Sequence, residues 1–128
     1  MDFKVFLSDD ALNDLERIVA YIAPHNPFAA ERMGNELLDV ALSLKTLPER
    51  GRVVPEFRRT ELREIIFRSY RIIYRMNHND PSVEIVRFWH GARGFPHIPG
   101  TRTHGAGVSA TGVARNYFSF VSDYLPDE

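Results

Sequence analysis

Cysteine is missing from this 128-residue chain, which excludes disulfides, thiolate metal ligands and thiol nucleophiles and fits a reducing compartment. Long apolar runs are missing as well, none approaching the roughly 18–20 residues that span a bilayer. The opening Met1-Asp2-Phe3-Lys4 has no basic region followed by an apolar one. No secretory signal is therefore expected, and the chain is placed in the cytoplasm, away from membranes. His25, His78, His90, His97 and His104 lack paired spacing with carboxylates, so no metal site is expected. Internal repeats, a Ser/His/Asp arrangement and a glycine-rich phosphate loop are absent too, Gly105-x-Gly107 following no strand. No cofactor is expected.

What the chain does have is a division of charge that its formal net of −1 conceals. Residues 1–49 hold nine acids against four bases, whereas residues 50–93 hold ten arginines, no lysine and five acids. Arginine makes bidentate contacts with carboxylate or phosphate. Two readings follow. Either the arginine block meets a negatively charged partner, nucleic acid or an acidic protein segment, or its members pair with acids of the chain itself.

The hydrophobic pattern orders the elements. Phe3-Lys4-Val5-Phe6-Leu7 predicts a first strand, and Ser8 caps a helix whose first turn carries Asp9 and Asp10. Leu12, Leu15, Ile18, Val19 and Ile22 recur at helical spacing up to Pro24. Asn26-Pro27 opens a second helix, with Ala30, Met33, Leu37, Ala41 and Leu44 as its apolar stripe, ending before Pro48. A turn at residues 47–52 and a polar loop to about Arg59 follow. The period then becomes strand-like over residues 62–67, 70–76 and 83–90, with a turn at Asn77-His78-Asn79-Asp80-Pro81. The order β-α-α-β-β-β predicts an α+β domain over residues 1–100, a helical hairpin packed on a twisted, mainly antiparallel sheet. Residues 101–128 predict a Gly/Ser/Thr-rich tail, irregular to about Ala114, with an apolar segment at 116–125 able to dock as a helix or strand.

Several short motifs in this order resemble the ParE/RelE toxin superfamily over roughly residues 3–99. They are Ala11-x-x-Asp14-Leu15-x-x-Ile18 with Tyr21-Ile22, Asn26-Pro27-x-Ala29-Ala30, and Leu47-Pro48-x-x-Gly51-Arg52. After these come Leu62-Arg63-Glu64, Tyr70-Arg71-Ile72-x-Tyr74-Arg75 and His90-Gly91-Ala92-Arg93. The tail beyond Gly100 lies outside the resemblance. It implies the toxin of a type II toxin–antitoxin, plasmid-stabilisation pair, neutralised in a hetero-oligomer by an acidic or amphipathic segment of its antitoxin. The ParE-like branch implies inhibition of DNA gyrase, a block to replication and growth arrest. A ParD-like antitoxin would carry the operator-binding domain, so that DNA contact by this chain is indirect.

The RNA-cutting branch implies instead a ribosome-dependent mRNA endonuclease, which needs a proton acceptor, cations for the charge at phosphorus and an acid for the leaving oxygen. Arg71 and Arg93 match phosphate-binding arginines of those enzymes, and His90 is the acid–base candidate. Tyr70, Tyr74 and Trp89 are candidates for stacking. Two departures count against it: residues 62–67 carry no lysine, and Gly94-Phe95-Pro96-His97-Ile98-Pro99 carries no tyrosine. For contact with target or antitoxin the expected residues are Arg63, Arg71, Tyr74, Arg75, Arg87, Trp89, His90 and Arg93. A non-toxic relative that only occupies the antitoxin is the third reading.

Overall fold

The computed structural model of the chain describes residues 2–57, 62–98 and 107–115. Strand β1 (Lys4–Leu7) leads into helix α1 (Asp9–Ile22), and α2 (Pro27–Ser43) completes the helical hairpin. The start of each helix is closed by its own side chain. Ser8 accepts from the Ala11 amide at 3.0 Å and Asn26 from the Ala29 amide at 3.1 Å, satisfying amides that the helix leaves unpaired. Strands β2 (Arg52–Val53), β3 (Leu62–Phe67), β4 (Tyr70–Asn77) and β5 (Ser82–His90) follow, then a 3-10 turn at Gly91–Arg93. Two further elements, β6 (Val108–Ser109) and α3 (Ala110–Arg115), complete the described chain. No described helix is long and apolar enough to cross a membrane.

The sheet runs β2-β3-β4-β5-β1-β6. All pairs are antiparallel except β1 with β5, so the α+β architecture with a mainly antiparallel sheet is as the sequence predicts. Two parts differ. A two-residue β2 stands where the turn at 47–52 and the polar loop after it were expected, its Arg52 opposite Glu64. The segment read as irregular up to Ala114 instead adds β6 to the sheet, with Ala110 fully buried behind it. Arg58, Arg59 and the apolar segment 116–125 lie outside the described residues.

The sheet buries both faces. Leu7, Leu15, Val19, Leu37, Leu38, Tyr74, Ile85 and Phe88 fill the layer between hairpin and sheet, each such side chain contributing about 1.5–3 kcal/mol. On the other face a smaller core of Val54, Leu62, Ile73 and Val86 is covered by Phe57, Phe95 and Ile98 from flanking loops. The change of side occurs at a bulge. Ile73 lies opposite Arg87 and Tyr74 opposite Ile85, leaving Val86 as an extra residue on β5. Ile85 and Phe88 therefore both reach the helix layer although three residues apart. The chain reverses between β3 and β4 through Arg68 at φ 52°. Near β2, Gly51 is required by close approach: a Cβ there would sit 2.6 Å from the Tyr74 hydroxyl and 2.7 Å from the Glu64 carbonyl oxygen.

Candidate functional site

Strand β5 outruns β1. The two pair from Lys4↔Ser82 to Leu7↔Ile85, so among the described residues the end of β5 has no strand neighbour on that side. Side chains from the start of α1 take over the bare edge. The Ser8 hydroxyl donates to the Val86 carbonyl at 3.0 Å, and the Asp14 carboxylate accepts from the Phe88 amide at 3.1 Å. Asp14 is itself fixed by Arg87, whose Nε and Nη2 donate at 2.7 and 2.8 Å. Its neighbouring carboxylate holds the Arg87 guanidinium above its ordinary pKa, against burial acting the other way.

Beyond this pair α1 and the sheet enclose an open cleft of about 410 Å³. Asp14, Arg17, Ile18 and Tyr21 come from α1, Tyr70 from β4, Phe88 and His90 from β5, and Arg93 from the 3-10 turn. Arg17 and Tyr21 are four residues apart and so share a helix side. Tyr70 and His90 lie directly opposite on neighbouring strands, their rings 5.3 Å apart and edge to face. Burial, and then the nearby Tyr21, push the Tyr70 hydroxyl above its usual pKa, so it is a proton donor at neutral pH. His90 Nδ1 accepts from the Ala92 amide at 3.2 Å, which leaves Nε2 to carry the proton of the neutral ring. Arg93 stacks on Trp89 at 4.2 Å, Arg87 lies 4.6 Å from the same ring, and the indole donates to the Gly94 carbonyl at 2.9 Å. Neither Arg17 nor Arg93 enters an ion pair among the described residues. The cleft thus presents donors without acids to match them, between aromatic walls, which suits an anionic group carried on an apolar or planar body.

Of the residues singled out from sequence, Tyr70, His90 and Arg93 line the cleft, Trp89 touches it only through the stacked Arg93, and the others do not meet here. Arg71 pairs across the strands with Trp89 and points to the opposite face from Tyr70 and His90, since strand side chains alternate. It donates to Glu64 at 2.6 Å and to Glu56 at 2.9 and 3.0 Å, and lies 5.2 Å from the Phe95 ring. Those carboxylates, Glu56 first, raise its already high pKa further. Arg75 donates to Glu84 at 3.1 Å and Arg63 to the Gly51 carbonyl at 2.8 Å. Two of the expected contact residues are buried. Tyr74 is fully buried, with its hydroxyl donating to the Pro48 carbonyl and accepting from the Gly51 amide. Arg87 is buried in the pair with Asp14. The arginine block is thus largely answered from within, Glu64 alone receiving both Arg52 and Arg71.

Arg17, Tyr21 and Asp14 were not among the residues expected at a site. For Asp14 the sequence does hold a signal. It stands between Ala11 and Ile18 within the apolar stripe of α1, where a carboxylate needs a partner. Arg17 and Tyr21 look like an ordinary solvated helix side, because the other cleft residues lie 49 and more positions away.

Relatives share this framework. The sequence model of the family described as "ParE toxin of type II toxin-antitoxin system, parDE" matches residues 5–95. Toxin RelE1 of Caulobacter vibrioides is 37% identical over 92 residues, covering 71% of this chain and 96% of that toxin. Toxin RelE2 of the same organism is 42% identical over 84 residues, covering 65% and 89%. Among solved structures, a chain of the RelBE2 toxin–antitoxin complex from Mycobacterium tuberculosis superposes with a TM-score of 0.54 at 22% identity, covering 70% of this chain and 99% of that one. A chain of the chromosomal ParDE system from P. aeruginosa gives a TM-score of 0.58 at 14% identity, covering 69% and 95%. These two share the fold. With the family pattern running from β1 through the end of β5 and the relatives matched over nearly their whole length, the chain belongs to the ParE toxin family of type II toxin–antitoxin systems.

Proposed function

We propose that this toxin acts by binding rather than by cutting: it holds DNA gyrase in an intermediate with cleaved DNA, blocks replication, and is neutralised by a ParD-like antitoxin. The observation that carries the reading is the separation of Arg71 from His90 and Arg93. A nuclease would need cations and an acid–base group around one phosphate. Here the cation of β4 lies on the far face, held by Glu64 and Glu56, and β3 offers no lysine. A trapped complex needs no chemistry from the toxin, only a higher affinity for one state of its target. The solved neighbours come from a RelBE2 complex and a ParDE system, which supports an antitoxin as the partner of this chain. Its acidic or amphipathic segment would lie along the groove between hairpin and sheet, with a carboxylate at Arg17 and Arg93. Binding governed by those charges weakens as salt rises.

A supercoiling assay with the purified chain tests the proposal. Loss of supercoiling with accumulation of cleaved DNA is the expected result, relieved by the antitoxin. Gyrase that is indifferent to micromolar toxin would refute it. The cleft also supports a second reading, ribosome-dependent mRNA cleavage, through Tyr70, His90, Arg17 and Arg93. Primer extension would then map cuts that vanish with His90→Ala.

A further inference from the structure

The family match ends at residue 95, yet the sheet gains another strand after it. β6 pairs antiparallel with β1 through Phe6↔Ser109 and Leu7↔Val108. Without it β1 would be the end strand of the sheet, and a poor one to leave bare. After Lys4 its Val5-Phe6-Leu7 run is apolar and carries no proline, bulge or inward charge to discourage a second strand. The direction of its amides shows which edge is at stake. Lys4 donates to the Pro81 carbonyl at 3.0 Å and Ser8 to the Ile85 carbonyl at 2.9 Å, both on the β5 side. Alternation along the strand turns the Phe6 amide the same way and the Leu7 amide toward β6.

The covering segment is anchored rather than merely adjacent. Ala110 is fully buried in the main core, and Val113 and Ala114 pack against the same cluster. The Ser109 hydroxyl accepts from the Gly112 amide at 3.3 Å, holding the turn from β6 into α3. Helix α3 packs on both α2 and β1.

We propose that residues 107–115 are an intramolecular clasp that occupies the β1 edge in place of β1 from a second copy of this chain. Two bare β1 strands would pair antiparallel about a two-fold axis, each serving the other as β6 now serves it. The clasp replaces that intermolecular pairing by one within the chain, which keeps the protomer single whatever its target.

Two variants of the full chain test it. Val108→Pro removes an edge donor at a side chain that is 37% exposed, so no core volume is lost. Ala110→Asp places a charge at the buried anchor. At a dilution where the variants are monomeric, amide exchange by NMR is expected to be at least about tenfold faster at Leu7 in both, with Phe6 within about twofold of its original rate. Sedimentation velocity is expected to show a concentration-dependent dimer that the unmodified chain lacks. Leu7 exchange in the monomeric variants as slow as in the unmodified chain would overturn the clasp. So would equal acceleration of Phe6 and Leu7 in Val108→Pro, which would make the segment part of the general core. A variant with fast Leu7 exchange that stays monomeric would overturn the assignment of a second copy as the excluded partner.

Discussion

Asp14 and Arg87 stand 73 residues apart in the chain and meet through two hydrogen bonds, at 2.7 and 2.8 Å, both groups buried. The pair fastens α1 to the part of β5 that β1 leaves uncovered. Removing one member leaves the other charge buried and alone, which costs about 3–5 kcal/mol. Asp14→Ala is expected to lower the unfolding free energy from urea titration by that amount, whereas Asp14→Asn keeps an acceptor for the Phe88 amide and loses less. An unchanged midpoint in Asp14→Ala would remove the pair from the account of the fold.

Tyr74 sits at the other end of the sheet, where its hydroxyl joins the Pro48 carbonyl at 2.8 Å to the Gly51 amide at 2.9 Å. Tyr74→Phe leaves both groups without that partner and is expected to cost about 1–3 kcal/mol. Antitoxin affinity, measured by calorimetry on the folded variant, should be unaltered, because the ring never reaches the surface.

Glu56 links stability to pH. The hydrogen bond from Arg71 holds its carboxyl below the ordinary value of 4.5, outweighing a small opposing effect of burial. A carboxylate whose pKa is depressed by folding contributes stability above its unfolded value and loses it as pH falls through its folded value. Glu56→Gln should therefore be less stable than the parent at neutral pH and match it in strong acid. Urea midpoints on both sides of pH 4.5 give the comparison, and parallel curves at all pH values would contradict it.

The cleft arginines should matter for function and not for folding. Arg17→Ala and Arg93→Ala each remove a cation that meets no acid among the described residues, so thermal stability should hold. Loss of one charge-assisted contact to an anionic partner, about 1.5–3 kcal/mol, corresponds to about 10- to 150-fold weaker binding. Arg75→Ala, which breaks the pair with Glu84, should leave target and antitoxin affinity near the parental value. Equal losses in all three variants would mean that the cleft is not the interface.

Local signals carried most of the secondary structure. Ser8 and Asn26 are read as caps because capping acts within three residues, and both do cap. The parallel pairing of β1 with β5 joins residues nearly eighty apart and leaves no local trace. β2 is two residues long and depends on Arg52 meeting Glu64 across the strands, so the pattern of residues 52–53 alone looks like loop. The bulge did leave a mark, since Ile85-Val86 breaks the alternation of β5. At the site, His90 and Arg93 stood out at the end of a predicted strand. The sequence does not tell which arginines are answered, because several stand within reach of Glu64 in any register; only the folded register shows it taken by Arg52 and Arg71.

Val86 sets a phase in β5. Were the strand straightened into unbroken two-residue rhythm, Arg87 would turn into the apolar layer beneath the helices, and Phe88 and His90 would turn out of it. A single additional residue thus lets the first half of the strand build the interior while the second half delivers an imidazole to the cleft. Shifting that offset would exchange the contents of two surfaces at once, without altering any side chain.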